Sequence, residues 1–196
     1  MANETKWSID QTHSSIAFKV RHLMISHVKG DFSTFDASIY TTGKDFRTAT
    51  IDVWIDPASV STGDAQRDEH LKGADFFDVQ SNKQITFVAS TIGKADLAGN
   101  HEMWGELTMH GITKNVKLDV EFGGVAKDPY GNEKAGFTIS GKINRSDWGL
   151  VWNTAIETGG FVVSDEITIA CDIQLLNQGE KEETMVLESN ANTVTI

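Results

Sequence analysis

Val116-Lys117-Leu118-Asp119-Val120-Glu121-Phe122 alternates apolar and polar side chains without a break. Side chains on a strand point to opposite faces in turn, so this stretch has one dry face and one wet face. The same period recurs on both sides. Ile16, Phe18 and Val20 fall two apart, as do Ile51, Val53 and Ile55, with Asp52 and Trp54 facing the other way. Phe137, Ile139, Gly141 and Ile143 repeat it, and so do Ile167, Ile169, Cys171, Ile173 and Leu175. Segments 28–40, 84–92 and 101–109 add noisier strands. Thr42-Gly43, Ala98-Gly99-Asn100 and Asp128-Pro129-Tyr130-Gly131-Asn132 supply turn chemistry between them. About eight strands with one apolar face each, and few helices to cover it, must close that face on themselves. The chain is therefore read as all-β and antiparallel, a barrel or a sandwich, with one short helix.

That helix is predicted between Gly63 and Gly73, where GDAQRDEHLKG is polar and poor in strand formers. Asp64 can cap its N-terminus and Gly73 can end it. Phe76 and Phe77 follow at once, so the segment is expected to plug or lid one end. Residues 1–176 are expected to form a single domain. Residues 177–196 are read as an acidic extension that opens on the charged run Gln178-Gly179-Glu180-Lys181-Glu182-Glu183.

Composition excludes several classes of function. The 196 residues carry 17 basic and 28 acidic side chains, a formal charge of −11. A surface that acidic repels nucleic acid and anionic membranes, so neither is expected as a partner. With 39% apolar residues and no long apolar run, no integral membrane association is expected. The N-terminal residues show no export signal, which points to the cytoplasm; a periplasmic or secreted location is the alternative if a signal has been removed. Cys171 is the single cysteine, so no internal disulfide can form.

Motifs for nucleotide binding, nucleophilic catalysis and zinc chemistry are missing. The six histidines, His13, His22, His27, His70, His101 and His110, have neither helical i, i+4 spacing nor the two-residue spacing that would put two on one strand face. No metal and no cofactor is expected. Arg67, Asp68, Glu69 and His70 form the densest polar group; it reads either as a contact for a ligand's polar head or as a solvated helix face.

The aromatic side chains carry more information. Phe18, Phe35, Phe76, Phe77, Phe87, Trp148 and others fall mostly on apolar faces. An eight-stranded barrel has an interior that is either just filled by side chains or able to hold one ligand. If it is not full, an apolar lining selects a hydrocarbon guest.

Several ordered blocks resemble the YceI-like family of lipocalin-like barrels that bind polyisoprenoid lipids. They are Trp7-Ser8-Ile9-Asp10 with His13-Ser14-Ser15-Ile16-Ala17-Phe18; Arg67-Asp68-Glu69-His70-Leu71 with Asp75-Phe76-Phe77-Asp78; Gly105-Glu106-Leu107-Thr108-Met109-His110-Gly111; Asn144-Arg145-Ser146-Asp147-Trp148-Gly149; and Val163-Ser164-Asp165-Glu166. The resemblance implies a barrel whose lumen takes a long-chain isoprenoid, such as a quinone tail or polyprenyl precursor, for carriage or storage and without catalysis. On this reading Phe18, Val20, Phe35, Val53, Phe87, Leu118, Val120, Ile139 and Trp148 line the tunnel. Phe76 and Phe77 close it, and Arg67, Asp68, His70 and His22 meet the head group. A homodimer is expected. The alternatives are a fatty acid or fatty amide carrier, a lipid-acting enzyme using Arg67, Asp68 and His70, and a filled barrel with an interaction role.

Overall fold

The structure, a computed structural model, describes residues 3–96, 99–155 and 161–180, with Ser90 and Thr91 described by backbone alone. Its strands are β1 (Glu4–Ile9), β2 (Ser15–His22), β3 (Ser26–Phe32), β4 (Phe35–Thr42), β5 (Asp45–Ile55), β6 (Val60–Ser61), β7 (Ile85–Ile92), β8 (Asn100–Met109), β9 (Ile112–Lys127), β10 (Glu133–Asn144) and β11 (Val163–Glu180). The helix α1 (Ala65–Lys72) lies between β6 and β7.

Hydrogen bonding runs β1-β4-β5-β7-β8-β9-β10-β11 and returns to β1, which closes an antiparallel barrel. The last strand makes closure work. One edge of β11 pairs with β10 along its length, while the other pairs first with β2 and then with β1. Between them the chain bends at Asp10–Ser14. The Asp10 carboxylate caps a single 3-10 turn by accepting from the Thr12 amide, and the Ser14 hydroxyl accepts from the Gln174 amide where the ladder is interrupted. A second bend, at Ser33-Thr34, separates β3 from β4, so the segment 28–40 that reads as one noisy strand is two. The hairpin β2–β3 and short β6 thereby extend one wall beyond the closed ring, at the end of the barrel where α1 lies.

Two features mark the ends of the barrel sheet. Strand β1 has no long alternating pattern, because Thr5 takes a buried inward position that pattern reading reserves for apolar residues. The expected domain boundary at Leu176 falls inside β11, which continues to Glu180 because β1 needs a partner there. Thr5 is opposite Glu180 and Trp7 is opposite Asn177. Residues 181–196 lie outside the described residues.

Helix α1 is capped as its sequence dictates, with the Asp64 carboxylate accepting from the Arg67 amide and Gly73 at the C-terminus. None of its residues is buried. Three side chains, Leu71 on its last turn and Phe76 and Phe77 after it, turn toward the barrel interior instead. At the other end the indole of Trp7, fully buried, donates to the Thr41 hydroxyl at 2.9 Å. Its ring meets Phe46 at 4.8 Å, and Phe46 meets Phe137 at 4.9 Å. Phe122, half exposed, stacks on Phe137 and completes this aromatic floor.

Candidate ligand cavity

The inward faces of the strands surround a cavity of about 270 Å³. It runs from Phe46, Ile92 and Phe137 near the aromatic floor to Leu71, Phe76, Phe77, Leu150 and Val163 at the α1 end. Small inward residues are matched to large ones. The ring of Phe18 lies over Gly30, that of Phe87 over Gly105, and Leu118 over Gly141. This pairing lets side chains enter the lumen without filling it.

Phe18, Val20, Val53, Phe76, Phe77, Phe87, Leu118, Val120 and Ile139 all border the cavity, on strands β2, β5, β7, β9 and β10 and on the loop after α1. Phe35 and Trp148 are buried in the core but do not border it. The Trp148 indole is held by donating to the Leu107 carbonyl at 3.1 Å. His22 is half-buried at the end of β2, opposite Val163, and is also outside the lining.

The polar group on α1 is committed to holding the fold. Arg67 Nε donates to the Thr62 hydroxyl at 2.7 Å and its Nη2 to the Thr62 carbonyl at 2.9 Å. Asp68 accepts from the Thr62 amide and hydroxyl at 2.8 and 2.5 Å. Together they fasten the helix to the residue after β6. His70 pairs with Asp75 at 2.9 Å, and its ring stands edge-on to Phe76 and Trp152. It thus joins the helix to the loop that follows β10. None of the three borders the cavity.

Arg145 is the only charged side chain in the lining among the described residues, and pattern reading did not single it out. It is buried, and its guanidinium donates to the carbonyls of Leu150, Trp152, Val163 and Ser164. Burial draws its pKa below the ordinary value, while Asp165 nearby opposes that shift. Its chemistry is structural: the fork of donors closes the loop from Gly149 onto the start of β11. No local pattern could reveal this, because the acceptors are backbone groups brought in by the fold. Phe137, Ile169, Cys171 and Ile173, by contrast, also line the cavity and lie on alternating faces already legible in the sequence. Burial pushes the Cys171 thiol up to about 11, so it behaves as a small apolar group and not as a nucleophile.

The family model described as the YceI-like domain matches residues 7–175. A UPF0312 protein of Staphylococcus epidermidis is 39% identical over 164 residues, 83% of this chain and 92% of that protein. One from Staphylococcus aureus is 38% identical over the same shares. Among solved structures, the Campylobacter jejuni YCEI protein is 35% identical, covers 89% of this chain and 96% of its own, and superposes with a TM-score of 0.67. A polyisoprenoid binding domain from Saccharophagus degradans shares the fold at 15% identity and a TM-score of 0.60, covering 87% of this chain and 98% of its own.

Proposed function

This chain belongs to the YceI-like domain family, and from that premise we propose that it binds a long-chain isoprenoid lipid in the barrel lumen, as a carrier or storage protein. The observation that carries the reading is the cavity itself, lined among the described residues by aliphatic and aromatic side chains with Arg145 as the one charge. A lining of that chemistry has no partner for a polar substrate and rewards apolar surface withdrawn from water. The Saccharophagus degradans domain, of like fold and described as polyisoprenoid binding, makes that lipid class the first to test.

A volume of about 270 Å³ lies just below the lower end for drug-sized ligand pockets, roughly 300 Å³. Phe18, Phe77 and Phe87 are among the rings that border it. A guest of roughly 40 heavy atoms at about 0.3 kcal/mol each would gain about 12 kcal/mol, near nanomolar affinity. Such a ligand survives purification.

Arg145 gives no support to a fatty acid over an isoprenoid, since its donors are aimed at backbone carbonyls and not into the lumen. The commitment of Arg67 and Asp68 to Thr62, and of His70 to Asp75, speaks against using them as an acid–base set.

Organic extraction of the purified protein followed by mass spectrometry tests the reading. An isoprenoid mass series is expected, and a fatty acid or amide would replace it. Val120→Trp, Val53→Trp and Ile139→Trp then separate a tunnel from a filled core. In a tunnel the new ring takes the lipid's space and occupancy falls while the fold holds. In a filled core overpacking costs about 1–3 kcal/mol and melting falls instead.

A further inference from the structure

The hairpin β2–β3 departs from the rest of the molecule in charge, conformation and exposure. No Asp or Glu occurs between Asp10 and Asp31 in a chain of charge −11. Phe18 and Val20 point into the cavity, so Lys19 and Arg21 point out. Register places Lys19 opposite Lys29 and Arg21 opposite His27. Like charges facing each other across a ladder are unfavourable. Among the described residues Lys19, Arg21 and Lys29 make no ion pair; Asp31 lies one step beyond Lys29, and on β11 the exposed Glu166, next to the Ile167 that faces Val20, is paired with Lys142 at 2.9 Å. On the other side β11 presents Thr168 to Lys19.

The tip is Leu23-Met24-Ile25. Ile25 donates its amide to the His22 carbonyl at 3.2 Å, and Leu23 and Met24 both take positive φ, 50° and 62°. A two-residue turn of this kind normally uses Asn-Gly, and bulky L-residues there are strained. The tip is also exposed, Met24 at 52% and Ile25 at 85%. Strain and exposed apolar surface together mark a site held for contact with something else. The patch continues, because Leu23 donates to the Val162 carbonyl and Val162 donates to that of Thr154. This brings Phe161 (58% exposed) and Val151 (69%) to the same end. That end is where Leu71, Phe76, Phe77 and Val163 border the cavity.

We propose that the β2–β3 hairpin docks the protein on an anionic lipid bilayer: the Leu23-Met24-Ile25 tip enters the interface, and Lys19, Arg21 and Lys29 meet the head groups. The basic strands select an anionic surface, while the acidic remainder of the chain opposes contact through any other face. No described helix is long and apolar enough to cross a membrane, and the contact proposed is peripheral. The net charge alone argues against a membrane, and only the hairpin reverses that conclusion, since α1 and the loop after it carry Asp64, Asp68, Glu69, Asp75 and Asp78 against Arg67 and Lys72. The inference goes beyond the cargo reading and can fail independently of it.

The test is co-sedimentation of the full chain with vesicles of phosphatidylcholine, alone and with about one third phosphatidylglycerol. Binding to the anionic vesicles only, weakened by salt, is expected. Lys19→Gln, Arg21→Gln and Lys29→Gln together should lower the partition coefficient about a hundredfold, roughly fivefold for each charge. Met24→Ser with Ile25→Ser should also lower binding while leaving the melting temperature unchanged or higher. An environment-sensitive fluorophore on Ile25→Cys, with Cys171→Ala, should shift to the blue on vesicle addition. Wild type that ignores both vesicles, or binds them equally, overturns the proposal, as does binding that survives either set of substitutions. A homodimer that Ile25→Asp dissociates would give the tip to a second copy and also overturn it. Cargo is read separately by extraction: an empty barrel that still binds anionic vesicles removes the isoprenoid reading and leaves docking, and a loaded barrel that ignores them does the reverse.

Discussion

The ring of Phe87 lies across Gly105, so that a β-carbon on the glycine would sit 2.5 Å from the ring's Cζ and 2.7 Å from the Val88 carbonyl oxygen. The absent side chain is therefore part of the cavity wall: it lets a large ring enter from the neighbouring strand at a height where the lumen stays open.

Gly105→Ala should destabilise the barrel by about 1–3 kcal/mol, since both a ring and a backbone atom stand in the way. At Gly30 the obstructing atoms, from Phe18 and Thr62, are all in side chains that can shift. Gly30→Ala should therefore cost less. Urea unfolding of both variants checks the order, and Phe87→Leu should rescue Gly105→Ala only in part because the Val88 carbonyl remains.

Arg145→Gln should lower stability by about 2–4 kcal/mol, because it strips donors from buried carbonyls of the loop after β10. Arg145→Lys should not restore it, since an ammonium cannot span the same fork of acceptors. The unfolding midpoints of the two variants decide this.

Asp10 gives the molecule an acid dependence. The Lys134 ammonium at 2.8 Å, then the Thr12 hydroxyl, hold its carboxyl well below the usual carboxylate range. Because the folded pKa is depressed, the stabilisation is complete above the ordinary value of 3.8 and is lost as pH falls below it toward the folded pKa. Asp10→Asn should cost about 1–3 kcal/mol at neutral pH. Its melting temperature should converge with wild type as the solution is acidified below that value.

Met24→Gly should stabilise the isolated protein by up to about 1 kcal/mol, since glycine adopts the left-handed conformation without a β-carbon clash. Calorimetry measures the gain. Vesicle binding should weaken in the same variant, so that stability and docking move in opposite directions.

A chain shortened to end at Glu180 should fold and melt as wild type. One ending at Leu176 should melt earlier, because it loses the contacts of Asn177 with Glu133, Gln178 with Ser8 and Glu180 with Asn3. Thermal scans of the two chains side by side test where the domain ends.

Much of this architecture was legible in advance, and the reasons are local. Val116–Phe122 alternates because one face of β9 meets the lumen and the other meets water, and Gly63–Gly73 carries its own cap and stop. What was not legible depends on partners that only the folded geometry brings into reach. Arg67 and Asp68 look like free charges until Thr62 is seen between them. Arg145 looks like an ordinary polar residue at a strand end until the Leu150, Trp152, Val163 and Ser164 carbonyls converge on it. Phe35 and Trp148 are inward and buried, yet periodicity cannot distinguish a residue that borders a cavity from one packed beside it. Strand β1 was hidden by the buried hydroxyl of Thr5.

Strand β11, the last of the barrel, pairs with β1, the first, with Thr5 opposite Glu180. On the ribosome, β1 emerges before the other strands of the barrel and must wait for all of them before its second edge is covered. Until then the lumenal face of a growing sheet is open to whatever surrounds it, and pairing across such sequence distances is slow. The nascent barrel is thus most vulnerable to aggregation, and most accessible to a hydrocarbon guest, in the interval before its final strand arrives.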